Sequence, residues 1–180
     1  MTAKKKCLLH ICCAPCATQT IETLKDEFDI EGYFYNPNIE PVEEYDARMN
    51  ALLKLNEYVC IDLFFGDYDN GRWREFIKGY ENEQEGDRRC ELCIEFRLRK
   101  AAYFAAYRKI KYFTTTLSIS PHKNFEFIKN AGLKIADEYG LIFIDTDFKQ
   151  NNGFRKSVEL SKNYGLYRQK YCGCKFPLLK

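Results

Sequence analysis

Two hydrophobic periodicities alternate along the chain. Short apolar runs of strand length fall at Cys7–Ile11, Ile30–Tyr35, Cys60–Phe65, Lys111–Leu117 and Leu141–Ile144. Between them apolar residues recur every three to four positions, as on one face of a helix. Ile21, Leu24 and Phe28 do so within Thr18–Phe28, and Val42, Tyr45, Met49, Leu52 and Leu53 within Pro41–Tyr58. A short helix is expected at Trp73–Tyr80, and a longer one at Glu91–Arg108 with Ile94, Leu98, Ala101, Ala102 and Ala105 in a stripe. Asn36-Pro37-Asn38 is a turn signal that stops the second strand. Ser120-Pro121 offers an N-cap and first-turn proline for a helix ending at Gly140. Strands separated by helical patterns predict an α/β fold with a parallel sheet of about five strands.

At 180 residues the chain suits one domain with a core large enough to stand without disulfides. We expect an α/β core over 1–147 with a C-terminal segment, 148–180, packed on it. Hydrophobic residues make up 46%, which excludes a disordered chain. No apolar run reaches membrane-spanning length. Lys4-Lys5-Lys6 precedes too short an apolar run for a secretory signal, so a cytoplasmic protein is expected.

In parallel sheets the ligand crevice lies beyond the carboxyl ends of the strands. The residues expected there are Cys12-Cys13-Ala14-Pro15-Cys16, Asn36-Pro37-Asn38, Asp67-Tyr68-Asp69, Ser118 with Ser120, and Asp145-Thr146-Asp147. Polar residues are ordinary in loops; clustered cysteines are not.

Net charge is only +2, which argues against a globally basic nucleic-acid binder, but the charge is unevenly placed. Residues 1–147 hold 20 basic and 25 acidic residues, whereas 148–180 hold eight basic residues and only Glu159. Phe148, Phe154, Tyr164, Tyr167 and Tyr171 are interleaved with that basic stretch. Such a segment suits phosphates and exposed bases, with Arg155, Lys156 and Arg168 as the best contacts, or it is a terminal helix packing its aromatics on the core.

Nine cysteines are too many, and odd in number, for a disulfide framework in a reduced compartment. Cys7 and Cys60 stand apart at strand starts and read as buried small hydrophobes. The other seven form three clusters: Cys12/Cys13/Cys16, Cys90/Cys93 and Cys172/Cys174. Cys90 and Cys93 open a predicted helix, whose N-terminus favours thiolates. Together with the first cluster they supply the four soft ligands that zinc or a [4Fe–4S] cluster requires, and the irregular Cys-Cys-x-x-Cys favours iron–sulfur. Cys172-Gly173-Cys174 can close a strained, labile disulfide or supply metal ligands.

Several stretches carry a resemblance. They are His10-Ile-Cys-Cys-Ala-Pro-Cys16, Tyr35-Asn-Pro-Asn-Ile39 with Glu44-Tyr45 and Arg48, and Arg89-Cys-Glu-Leu-Cys93. Phe113-Thr-Thr-Thr-Leu117 with Ser120-Pro-His-Lys-Asn124, Asp147-Phe-Lys149 and Tyr167-Arg-Gln-Lys-Tyr-Cys-Gly-Cys174 continue them. Together they resemble the epoxyqueuosine reductase QueH family from about residue 8 to 176. The resemblance implies a small Rossmann-like (HUP-type) parallel sheet with a helical, cysteine-bearing C-terminal segment. It implies reduction of epoxyqueuosine to queuosine in the anticodon loop of tRNA, the last step of queuosine synthesis, without cobalamin and with electrons from an external donor. It further implies a [4Fe–4S] cluster on Cys12, Cys13, Cys90 and Cys93, and a redox-active pair, Cys172 and Cys174. A second metal ion, with iron expected, would take Cys16 and a carboxylate from Asp69 or Asp147. His10, Tyr68 and His122 are the available proton donors, although His10 lies inside a strand and reads as a core histidine.

Two rivals come from other classes. A thiol–disulfide oxidoreductase would use Cys13-Ala-Pro-Cys16 between strand and helix, leaving Cys12, Cys90, Cys93 and Cys172 unexplained. A non-catalytic zinc-bound tRNA-binding module would account for the ligands and the basic tail but not for Cys172-Gly173-Cys174.

Overall fold

The computed structural model describes residues 4–176, so Lys180 and the rest of 177–180 in the basic segment lie outside the described residues. The strands are β1 (Lys5–Ile11), β2 (Phe28–Phe34), β3 (Asp62–Phe65), β4 (Tyr112–Thr115) and β5 (Ile142–Phe143). The helices are α1 (Ala14–Leu24), α2 (Val42–Val59), α3 (Asn70–Phe76), α4 (Arg88–Tyr107), α5 (Phe125–Tyr139) and α6 (Gly153–Asn163). All strand pairings are parallel, in the order β3-β2-β1-β4-β5. The periodicity predicts the five-stranded parallel α/β sheet, and the strand order, which it does not predict, makes it doubly wound.

The centre of the sheet, β1, β2 and β4, is buried on both faces, as in parallel sheets whose crossovers return over them. Cys7, Leu9 and Ile11 of β1 point to one layer, where Ala17 and Ile21 of α1, Leu52 and Leu55 of α2, Phe148 and Leu166 pack. Leu8 points to the other, against Leu98, Ala101 and Ala105 of α4 and Ile128 and Ile135 of α5. Helix α6 lies against α1, which brings the basic segment back onto the core. Gly153, which opens α6, permits that return: a Cβ there would sit 1.8 Å from the Phe148 carbonyl oxygen.

Four local expectations differ from the structure. Helix α1 begins at Ala14, not Thr18, because Pro15 is accepted in a first turn where no amide partner is needed. Helix α5 is capped by Asn124, whose side chain accepts the Phe127 amide, while Ser120 closes a 3-10 turn spanning Thr116–Ile119. Cys60 is exposed, because α2 runs on to Val59 and Cys60 becomes its left-handed C-cap (φ 51°). Cys7 is fully buried, as expected. The C-terminal helix ends at Asn163, so Cys172 and Cys174 sit in irregular chain beyond it.

Candidate functional site

The strand order reverses between β1 and β4, and it is at such a point that an α/β sheet opens a crevice. Cys12 and Cys13 leave β1 there, and Cys13 is the N-cap of α1 in extended conformation (φ −168°). The thiols of Cys12, Cys13 and Cys16 lie within 4.8 Å of one another. Thr116, just past β4, accepts the Cys12 amide at 3.0 Å and donates its hydroxyl to Cys12 Sγ at 3.1 Å. Gln169, from the C-terminal segment, donates Nε2–H to Cys13 Sγ at 2.9 Å.

Cys90 and Cys93 occupy the first two turns of α4, and the Gly86 amide donates to Cys90 Sγ at 3.2 Å. They line a cleft of about 60 Å³ together with Cys172, Cys174, Trp73 and Arg89. A second cleft, of about 360 Å³, takes in Cys12, Cys16, Arg168 and Cys172. The two adjoin, since Arg97, His122, Lys123 and Cys172 line both. Six cysteines distant in sequence therefore line one continuous depression, and buried Cys13 stands behind it beside Cys12 and Cys16.

The Cys172-Gly173-Cys174 segment is held by its backbone. Arg48 donates to the carbonyls of Tyr171 and Cys172, and the Glu40 amide donates to the Gly173 carbonyl at 2.8 Å. The two sulfurs are 3.7 Å apart. Gly173 has φ +118°, a region that side chains rarely enter, and a Cβ would come within 2.8 Å of Ile39 Cγ1.

The thiols are electrostatically unequal. Hydrogen bonds from Cys13 and Cys16 hold Cys12 well below the usual thiol range, against its burial and with help from Thr116 and Lys123. The Cys174 thiol likewise brings Cys172 down to about 6, with burial opposing and Lys123 assisting. Burial pushes Cys93 up. One thiolate thus belongs to each of the outer clusters, and Lys123 serves both.

His10 is fully buried, and burial followed by the charge of Arg97 lowers it to about 4. Its Nδ1 faces the Thr115 hydroxyl at 2.8 Å and its Nε2 the Tyr35 carbonyl at 3.0 Å. Because Thr115 Oγ1 also accepts the Leu117 amide, its own hydrogen goes to Nδ1, leaving Nε2–H to donate to Tyr35. It is a neutral core histidine tying three strands. Tyr68 donates its hydroxyl to the Ile39 carbonyl. His122 is exposed and lines both clefts.

The remaining expected residues are dispersed. Asp69 accepts the Tyr35 hydroxyl at 3.2 Å and lies 3.9 Å from Lys100 Nζ. Asp147 pairs with Lys149 and, with Lys156, lines a separate cleft beside α6. Neither carboxylate belongs to the group formed by Cys12, Cys13 and Cys16. Arg155 is largely exposed and paired with Glu159, whereas Arg168 reaches the second cleft. Of the aromatics, Phe148 is core while Phe154 and Tyr167 are exposed. Periodicity gave no warning of Thr116, Gln169, Arg48, Arg89 or Arg97; adjacency offered hints, since Arg89 abuts Cys90 and Arg97 follows Cys93 by one helical turn.

Comparison with known proteins bears on this arrangement. The family described as epoxyqueuosine reductase QueH matches residues 7–180. A protein of Thermotoga maritima named epoxyqueuosine reductase QueH is 40% identical over 176 residues, 96% of this chain and 90% of its own. Proteins of the same name from Streptococcus pyogenes and Acinetobacter baylyi are 39% and 40% identical, over 93% and 96% of this chain and 68% and 80% of theirs. With identity of that order along nearly its whole length, and the cysteine-lined crevice within the matched region, the chain belongs to the epoxyqueuosine reductase QueH family.

Proposed function

We propose that this protein reduces the epoxide of epoxyqueuosine in tRNA to the alkene of queuosine, without cobalamin. The observation that carries the reading is the convergence of six cysteines on one depression at the carboxyl edge of the sheet, with Cys13 grouped beside Cys12 and Cys16, in a chain of this family.

The residues suit a metal–sulfur group. Three thiols stand within 4.8 Å, and four more thiols line the adjoining cleft beside buried N–H donors that have no partner, Trp73 Nε1 and Arg89 Nε and Nη2. Cys12, Cys13, Cys90 and Cys93 are proposed to hold a [4Fe–4S] cluster, and Cys16, the thiol of its group left outside that set, a second metal ion. When bound, such centres supply one-electron transfer and Lewis acidity toward the epoxide oxygen.

Opening an epoxide to an alkene consumes two electrons and two protons and releases water. Cys172 and Cys174 match the electron demand: a thiolate and a thiol, on becoming a disulfide, give up two electrons and one proton, the second proton must come from another group on the rim, and an external electron donor must then restore the pair. Arg48 fixes the backbone of this pair, and Cys172, at about 6, is the thiolate ready to begin. His122 on the shared rim is the histidine free to carry a proton, since both nitrogens of His10 are engaged. Arg168 and exposed Lys170 at the second cleft suit the phosphates of an anticodon loop, whose unstacked base can enter by stacking and edge contacts.

Metal and sulfide analysis of protein purified without oxygen tests the reading. Iron with acid-labile sulfide is expected. Zinc alone would favour a binding module, and metal-free, colourless, active protein a thiol oxidoreductase.

A further inference from the structure

Buried charges are tolerated only when compensated. Two guanidinium groups at the cysteine-lined cleft break that rule among the described residues. Arg89 is 1% exposed; its guanidinium lies 5.2 Å from the centroid of the Phe176 ring and its Nη1 donates to the carbonyl oxygens of Glu81 and Glu83, while Nε and Nη2 have no hydrogen-bond partner. The Glu83 carboxylate is spent on the Arg89 backbone amide, Glu91 is paired with Arg88, and Glu85, which also lines the cleft, is exposed to water. Arg97 is 5% exposed; its Nε donates to the Cys93 carbonyl and its Nη1 stands 3.5 Å from Asn36 Oδ1. Neither makes an ion pair with a carboxylate among the described residues.

We infer that Arg89 and Arg97 are the built-in counter-charges of the anionic iron–sulfur centre and that they set its reduction potential. The inference rests on the cluster reading above and deepens it. A [4Fe–4S] core with two positive charges and four thiolate ligands carries two negative charges in all, matching the two unpaired arginines. Both groups stand where the sulfurs are: Arg89 and Arg97 line the cleft with Cys90, Cys93, Cys172 and Cys174, and Arg97 donates to the Cys93 carbonyl. Arg89 also offers spare N–H donors, and hydrogen bonds to cluster sulfur are among the means by which proteins tune such centres. Reduction adds a further negative charge, so a nearby buried cation stabilises the reduced state more than the oxidised one. Exposed lysines would be screened by water; these guanidinium groups are not.

The test is an EPR-monitored redox titration of anaerobically purified wild type, Arg89→Gln, Arg97→Gln, Arg89→Lys and Arg97→Lys, with iron and sulfide measured in each. Each glutamine variant is expected to shift the reduced-to-oxidised equilibrium tenfold or more toward oxidised, a midpoint at least 59 mV more negative for one electron. Each lysine variant should recover most of the shift, because the charge is kept. Assembly of the cluster in the lysine but not the glutamine variants would support the same conclusion. Glutamine variants with full clusters and wild-type midpoints would overturn it, as would failure of lysine and glutamine variants alike, which would assign the role to guanidinium shape. A wild-type protein with no iron–sulfur centre would refute the cluster reading itself, which the iron and sulfide values report separately.

Discussion

Arg48 Nη1 donates to the carbonyl oxygen of Cys172 at 3.2 Å, across 124 residues of sequence. Its Nη2 takes the Tyr171 carbonyl at 3.1 Å, and Glu44 binds its Nε at 2.7 Å. A charged group on α2 thus positions the cysteine pair by its backbone and leaves both sulfurs free. Arg48→Ala leaves Glu44 with only the Tyr167 hydroxyl and two carbonyls without donors. Breaking a buried pair of this kind costs about 3 kcal/mol. We expect a lowered melting temperature and loss of epoxide reduction with the iron content retained. Normal stability and turnover in Arg48→Ala would show that the clamp is idle.

Gly173→Ala is a narrower probe of the same segment. Its positive φ and its approach to Ile39 together cost about 1–3 kcal/mol in local strain. Because β1 and α4 are untouched, the visible absorption of the cluster should persist while the Cys172 and Cys174 thiols lose their pairing. Alkylation mapped by mass spectrometry under a graded thiol redox buffer measures this. An unchanged oxidation midpoint would contradict it.

The three basic candidates should not be equal. Arg168 reaches the cleft holding Cys12 and Cys172, whereas Arg155 is exposed on α6 and neutralised by Glu159. Arg168→Ala should weaken tRNA binding and reduce the slope of log K against log salt by about one unit per lost phosphate contact. Arg155→Ala should do less, with Lys156→Ala between them. Filter binding across a salt series decides it, and equal slopes in all three variants would place the surface elsewhere.

Glu31 gives a pH signature unconnected with metal. Burial pushes its carboxyl up, but Lys6 at 2.8 Å and Arg108 at 3.0 Å outweigh it and hold it below the usual range. A carboxylate of lowered folded pKa stabilises fully above its unfolded value of about 4.3 and ceases to as pH falls through the folded value. Its partners are half exposed, so the contribution is about 2 kcal/mol rather than that of a sealed pair. Glu31→Gln should lower stability by that amount at pH 7, and the gap from wild type should close below about pH 4. A gap constant between pH 7 and pH 3 in chemical denaturation would refute the assignment.

Periodicity sufficed for the sheet because its central strands, β1, β2 and β4, are largely buried apolar runs, while the edge strands β3 and β5 are still short apolar runs bounded by polar loops. It failed where one residue overrides a pattern. Pro15 looks like a loop residue but enters a first helical turn, and Cys60 looks like a strand start but terminates α2. The cysteine clusters were plain from spacing, yet nothing local joins Cys93 to Cys174. That contact is made by chain returning from α6 and pinned by Arg48, and pairings over such separations leave no periodic trace. The buried arginines were hidden for a related reason: charge predicts exposure until the structure shows what the charge faces.

Anaerobic turnover of epoxyqueuosine-bearing tRNA, followed by nucleoside mass spectrometry in cobalamin-free buffer with a chemical reductant, puts the proposed activity itself to the test. Wild-type protein with full iron and sulfide should convert epoxyqueuosine to queuosine. Cys90→Ala should lose iron and activity together, and Cys172→Ser should keep iron and lose activity. Epoxyqueuosine left unchanged by fully iron-loaded wild-type protein that still binds the tRNA would contradict the proposed function.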